Sequence, residues 1–242
     1  MALKVTETAK QSRPLRRRAA ARAPVEAERQ WLTTGDADAR THLIVAHGAG
    51  APMTSPFLSR MAELIAAKGV TVHRFDFPYM ATRANGGPRR PPPRAETLVS
   101  DYCHAVAQCR ARIGEQSRLL IGGKSMGGRV ACLAAADLAC AHSIAGVVVI
   151  GYPLAPARRS VGNRGRTIQR LAIPTLIVQG TRDPFGGQSA FGALDLPETV
   201  HMHWIEDGDH DLKPRRLTGV THVAALEEAA EAIAEFCERA EC

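Results

Sequence analysis

Leu119-Leu120-Ile121-Gly122-Gly123-Lys124-Ser125-Met126-Gly127-Gly128 is the stretch from which the rest of this chain is read. An apolar run stops at two glycines, one serine follows inside a G-x-S-x-G at Gly123 to Gly127, and an alanine-rich stretch from Arg129 to Ala136 then begins. That pattern predicts strand, tight turn and helix. A serine at the tip of such a turn presents its hydroxyl to solvent, while the first N–H groups of the helix point at any negative charge that develops there. Glycines two before and two after the serine let strand and helix approach without a Cβ clash. Gly123-Lys124-Ser125 also reads as the end of a phosphate-binding P-loop, but that motif needs a glycine at position 118, where Arg118 stands. The P-loop reading fails.

Working outward from the serine, short apolar runs alternate with helical periodicity. Upstream, Gln30 to Thr34 reads as a short strand turned back at Gly35-Asp36-Ala37-Asp38, and Thr41 to Ala46 as a strand emptying into His47-Gly48-Ala49-Gly50-Ala51-Pro52. Pro56 to Lys68 has apolar residues at helical spacing, and Val70 to Phe77 is the next strand, which makes a βαβ unit with parallel strands. Pro78 to Arg94, with Gly86-Gly87-Pro88 and Pro91-Pro92-Pro93, reads as irregular, and Glu96 to Ile113 as a helix. Downstream of the serine, a helix runs to about Cys140 and Gly146 to Ile150 is an unbroken apolar strand of the kind buried on both faces. Tyr152 to Leu171 is a polar excursion with room for one short helix, which predicts a minimal lid and an open site. Pro174 to Gly180 and Val200 to Ile205 are the last strands, and Thr218 to Glu238 closes as an amphipathic helix with Val223, Leu226, Ala230, Ile233 and Phe236 inward. The fold class is therefore α/β: a mostly parallel sheet of six or seven strands with helices on both faces.

Composition narrows the function. Aromatic residues are 5% of the 242, so the core must rest on Ala, Val, Leu and Ile. No apolar run approaches the roughly 20 residues that span a bilayer, and Met1 to Pro24 carry no apolar secretory core, so a cytoplasmic protein without membrane contact is expected. Residues 1–30 hold eight basic groups against three acidic ones, so most of the net charge of +7 belongs to that arm. Residues 1–28 read as a basic, disordered, solvated tail, not as a nucleic-acid contact, and residues 29–242 as a single domain. The six cysteines form no C-x-x-C pair and suit reduced structural thiols. His201 and His203 alternate on one strand without a carboxylate or cysteine in register, so neither a metal nor another cofactor is expected.

Two further loops complete the chemistry. Thr181-Arg182-Asp183-Pro184 follows one strand and Asp207-Gly208-Asp209-His210-Asp211 the next, and both leave the sheet at the end where the serine sits. The order Ser125, Asp183, His210 is that of an α/β-hydrolase triad: Ser125 attacks a carbonyl, His210 takes its proton, and Asp183 orients the imidazole. Asp207, Asp209 and Asp211 lie close to His210 in sequence and compete with Asp183 for the acid role. Met126 N–H and an N–H of the loop at His47 to Gly50, that of Ala49, would hold the oxyanion. Gly50, Lys124 and Tyr79 are read as substrate-contacting positions; a lysine at a helix start ordinarily faces solvent, and beside a nucleophile it would favour an anionic substrate. Arg83, Arg89, Arg90 and Arg94 leave one strand of the rim and Arg158, Arg159, Arg164 and Arg166 another. Such groups are ordinarily solvated, and an electropositive mouth is the sharper alternative.

Six segments together resemble a known branch of the α/β-hydrolase superfamily. They are His47-Gly48-Ala49-Gly50, Arg74-Phe75-Asp76-Phe77-Pro78-Tyr79-Met80, Gly122 to Arg129, Gly151-Tyr152-Pro153-Leu154, Gln179 to Gly186 and Asp207 to Pro214. The branch lies near dienelactone hydrolase and is represented by a testis-expressed protein and a subunit of the non-specific lethal chromatin complex; the resemblance covers roughly Leu43 to Phe236. It implies a hydrolase with Ser125 as nucleophile, Asp183 as acid and His210 as base, acting on a small-molecule acyl substrate. It implies little about which ester or thioester that is. A catalytically silent scaffold that acts through protein partners or the basic tail is the competing class.

Overall fold

The computed structural model describes residues 29–136, 143–155 and 162–240. The basic tail, the predicted helix end near Cys140, Cys242, Arg158 and Arg159 lie outside them. Seven strands form one sheet: β1 (Trp31–Thr34), β2 (Thr41–Ala46), β3 (Val70–Phe75), β4 (Arg118–Lys124), β5 (Gly146–Ile150), β6 (Thr175–Gly180) and β7 (Val200–Ile205). Their spatial order is β1-β3-β2-β4-β5-β6-β7, with β1 antiparallel to β3 and every other pairing parallel. The expected parallel sheet is thus realised, with β4, the strand that leads into Ser125, at its centre.

Every residue of β2, β3, β5 and β6 is buried, because helices cover both faces. Alternation then sends successive side chains to opposite cores. Ile44, Ile121, Val147 and Val149 face a core closed by α3 (Val99–Ile113) and α4 (Met126–Ala135), with Tyr102, Val106, Val130 and Ala134. Leu43, Val45, Val148 and Val178 face the second core, under α1 (Pro56–Ala66) and the closing helix His222–Arg239, which supply Leu58, Met61, Ile65, Leu226 and Ile233.

Two local expectations are corrected. Pro78–Ala84 is a helix, α2, inside the stretch read as irregular. Pro78 occupies its first turn, where the missing N–H costs nothing, and the residues that forbid helix begin only at Gly86-Gly87-Pro88. Val223 is 52% exposed instead of inward, because the closing helix meets the sheet only from Ala225 onward. Two short helices, α5 (Gly162–Gln169) and α6 (Gln188–Gly192), precede that closing helix, α7 (His222–Arg239); a 3-10 turn, Ala95–Leu98, leads into α3. Among the described residues no helix is long and apolar enough to cross a membrane.

Away from the serine, a buried imidazole pair links β2 and β3. His42 Nδ1 lies 3.0 Å from His73 Nε2, and His73 Nδ1 lies 3.0 Å from the Thr33 hydroxyl. Burial, then the neighbouring His42 and Arg112, pushes the His73 imidazole down to about 4, and burial likewise lowers His42. Both rings are therefore neutral at pH 7, whereas in the unfolded chain they take up protons near pH 6.5. Stability is complete above that pH and falls as pH drops toward 4, by up to about 3 kcal/mol for His73. Urea melts between pH 7 and pH 4.5 should show this loss, and the double substitution His42→Leu/His73→Leu should flatten the slope.

Candidate active site

Ser125 sits between β4 and α4 with φ 54° and ψ −115°, a conformation that costs a residue with a side chain on the order of 1–3 kcal/mol. Its N–H donates to the Ile150 carbonyl at 2.9 Å, and its own carbonyl accepts from Arg129 N–H at 3.0 Å, starting the helix. The flanking glycines have no room for anything larger. A Cβ on Gly123 would lie 2.6 Å from the Ala46 carbonyl oxygen, and one on Gly127 2.5 Å from the same atom.

Three loops bring the predicted residues together. His210 Nε2 is 2.9 Å from Ser125 Oγ, and His210 Nδ1 is 2.8 Å from Asp183 Oδ2. With Nδ1–H donating its hydrogen bond to the carboxylate, the Nε2 lone pair faces the serine hydroxyl. The Asp183 side chain is fully buried and accepts two further bonds, from Gln179 Nε2 at 2.9 Å and from Phe185 N–H at 2.8 Å. The competing carboxylates are engaged elsewhere. Asp207 takes both Arg215 and Arg182, and the hydrogen bond from Arg215 holds its carboxyl down at about 2. Asp209 accepts from the Asp211 and Lys213 N–H groups, and Asp211 faces Lys124 at 3.3 Å.

The loop after β2 lies against Ser125: a Cβ on Gly48 would be 3.8 Å from Ser125 Cβ. His47 is fully buried. Its Nε2 accepts from Phe77 N–H at 3.1 Å, so its proton is on Nδ1, which donates to the Gly48 carbonyl at 2.6 Å. Burial lowers its pKa, in keeping with a neutral ring that shapes the loop. Fixing the Gly48 carbonyl fixes its whole peptide plane, so the Ala49 N–H points to the opposite side from His47. Tyr79 donates its hydroxyl to the Ala49 carbonyl at 3.0 Å, and burial pushes that phenol up to about 12, which keeps it a donor. Neither Ala49 N–H nor Met126 N–H has a partner among the described residues.

Other sequence-predicted positions separate. Gly50 is exposed, with open space around its Cα, whereas Lys124 is 7% exposed and turned inward onto the His210 loop. Arg89, Arg90 and Arg94 are exposed, and Arg164 is tied to the Pro153 carbonyl at 2.8 Å. His203 faces Glu228 at 3.2 Å, and no group of three or more metal-ligating side chains occurs among the described residues. Two cavities, of about 580 and 540 Å³, lie elsewhere, one beside Arg29, Asp76 and Asp101 and the other between β7 and α7. Ser125, Asp183 and His210 lie just beyond the ends of β4, β6 and β7, with the His210 side chain 22% exposed.

Sequence reasoning missed Gln179. Its amide binds Asp183, the Gly186 carbonyl and both main-chain groups of Tyr152, so one buried side chain braces the carboxylate. The available signal was a polar residue inside the apolar run Thr175-Leu176-Ile177-Val178-Gln179. Phe185, whose ring centroid lies 4.7 Å from that of His210, carried no signal of its own.

A family model described as an alpha/beta hydrolase domain matches residues 39–238. Among solved structures, a dienelactone hydrolase from Anabaena variabilis aligns with TM-score 0.69 at 18% identity, covering 91% of this chain and 95% of that one. A monoacylglycerol lipase from Paleococcus ferrophilus aligns with TM-score 0.63 at 16% identity, covering 89% of this chain and 100% of that one. An α/β serine hydrolase without a lid from Xanthomonas campestris aligns with TM-score 0.58 at 17% identity, over 84% and 88% of the two chains. At these identities the likeness is one of fold.

Gly127→Ala tests the close approach at the serine turn. A Cβ 2.5 Å from the Ala46 oxygen and 2.6 Å from the His47 oxygen forces two backbones apart. Chemical denaturation should register a loss of about 2 kcal/mol or more, in the range of an overpacked core.

Proposed function

This chain belongs to the alpha/beta hydrolase domain family, and on that premise we propose that it is a serine hydrolase cleaving a small carboxylic ester or thioester through an acyl-enzyme on Ser125. The observation that carries the reading is the unbroken chain from Ser125 Oγ through His210 to Asp183, at 2.9 and 2.8 Å. Its six motifs also support membership of the branch of the testis-expressed protein and the non-specific lethal complex subunit.

In the acylation half, Ser125 Oγ attacks the acyl carbon as His210 Nε2 takes the hydroxyl proton, with Asp183 stabilising the imidazolium. Negative charge moves to the carbonyl oxygen, where Met126 N–H and Ala49 N–H are the candidate donors. Each such bond is worth roughly 3 kcal/mol of barrier. The tetrahedral centre collapses, the bond to the leaving alcohol or thiol breaks, and His210 returns its proton to that group. In deacylation, water gives a proton to His210 and attacks the acyl carbon. The carboxylic acid leaves and Ser125 Oγ recovers its proton. The N-terminal end of α4 adds its dipole to the same oxyanion position.

Substrate size follows from the rim. Between β5 and β6 the described residues form one short helix, α5, and the site has no deep apolar cover among them, which favours short acyl groups. Gly50 and Tyr79, beside the oxyanion loop, are proposed as substrate-facing positions.

A fluorophosphonate probe should label the folded wild-type chain and not Ser125→Ala; an unlabelled wild type would point to a silent scaffold. Asp183→Asn should lower kcat by about 10³–10⁴-fold, because the imidazole loses its tautomer, whereas Asp209→Asn should cost less than about tenfold. Across p-nitrophenyl esters, kcat/KM should be highest for acetate and butyrate and fall with longer chains, and the opposite order would refute the open-rim reading.

A further inference from the structure

Lys124 is the variable residue of the G-x-S-x-G and the last residue of β4, one position before Ser125. Its side chain is 8% exposed, although burying an ammonium costs several kcal/mol unless its hydrogens are well placed. The ammonium donates to the main-chain carbonyl of His210 at 2.6 Å and faces the Asp211 carboxylate at 3.3 Å. It also lies 5.4 Å from the centroid of the Phe57 ring. Lower down, its Cγ would be 3.9 Å from a Cβ on Gly48, so the stem runs beneath the oxyanion loop. One side chain, rooted on the strand that leads into Ser125, therefore passes close to the loop after β2 and bonds the loop of the base.

The loop it grips has its own turn bonds, to Asp209 from the Asp211 and Lys213 N–H groups, and still contains two residues at positive φ. Asp207 has φ 56° and Leu212 φ 60°, on either side of His210. Both values lie in the left-handed region, which aspartate tolerates but which costs a leucine such as Leu212 free energy that its surroundings must offset. The Lys124 bond falls between those two positions, as do the bond from Arg182 N–H to the Gly208 carbonyl at 2.9 Å and the contact of His222 Nε2 with the Asp211 carbonyl at 2.8 Å. Gly151 leaves the space for this contact: a Cβ there would lie 3.1 Å from Lys124 Nζ, 3.1 Å from the His210 oxygen and 3.3 Å from His210 Cε1.

We propose that Lys124 is a positioning residue that pins the His210 main chain to the nucleophile's own strand and so sets the distance from His210 Nε2 to Ser125 Oγ. The assignment rests on the serine-hydrolase reading above. It gives Lys124 a task different from contact with an anionic substrate, and the two are separable by kinetics.

The test is Lys124→Met, which keeps an unbranched stem and removes the donor, with folding checked by circular dichroism. Its steady-state rates are measured on p-nitrophenyl acetate and on the anionic mono-p-nitrophenyl succinate. Loss of positioning should lower kcat about ten- to a hundredfold on both esters, with each KM within twofold of wild type. Fluorophosphonate labelling of Ser125 should slow by a similar factor. A kcat within twofold of wild type on both esters, or a defect confined to the KM of the anionic ester, overturns the proposal. If Lys124→Met fails to fold, Asp211→Ala takes its place, since that carboxylate is 65% exposed and its removal frees one of the two anchors of the ammonium. At least a threefold fall in kcat at unchanged KM then supports the assignment, and an unchanged kcat overturns it. Labelling of the wild type together with an unimpaired variant sinks the Lys124 assignment alone. A folded wild type that takes no label sinks the hydrolase reading with it.

Discussion

Around Ser125, main chain meets main chain at distances that exclude side chains, and the rest of the site depends on that approach. Gly122 would place a Cβ 2.2 Å from the Val148 oxygen, and Gly128 one 2.5 Å from Val149 Cγ1. Together with Gly123 and Gly127, these residues let β4 and α4 sink between β2 and β5 while Ser125 is held at positive φ above them. The cores on either face keep this turn strained by over-determining it, since relaxing it would separate strands whose residues are wholly buried.

Buried polar side chains carry that order to the loops. Gln179 reaches from β6 to Asp183, His47 from the end of β2 to Phe77 and Gly48, and Tyr102 from α3 to both main-chain groups of Gly122. Each is satisfied by partners, which is the condition under which a buried polar group stabilises one arrangement instead of costing free energy. Because these groups act on main-chain carbonyls and amides, they orient whole peptide units as well as side chains such as that of Asp183. The loop after β2 is the clearest case, since the tautomer of one neutral imidazole determines which way the Ala49 N–H points.

Much of this was legible beforehand. The bounds of β5 and β7, the placing of β4 before a helix, and the two loops that bring Asp183 and His210 to one edge all follow from short apolar runs punctuated by glycine and charge. Helix α2 was hidden because the prolines and glycines after residue 85 dominate the composition of its window, although Pro78 is a good first residue for a helix. Val223 was misassigned because helical phase says which side a residue faces, not where along the helix the sheet begins. Gln179 and Lys124 each follow an apolar run near the end of a strand, and a polar residue there announces a partner without naming it.

By itself, then, the sequence determined the order of the strands and of the longer helices, the serine turn, and the candidates for base and acid, because periodicity, glycine placement and chain order are local properties. Tertiary structure alone decided which of four nearby aspartates meets His210, since Asp207, Asp209 and Asp211 are closer along the chain yet bind Arg215, main-chain amides and Lys124. It alone turned Lys124 from the solvent toward the His210 carbonyl. Both outcomes depend on the packing of loops that leave different strands, and the distance between such loops is set by the sheet and its covering helices, not by neighbours in sequence.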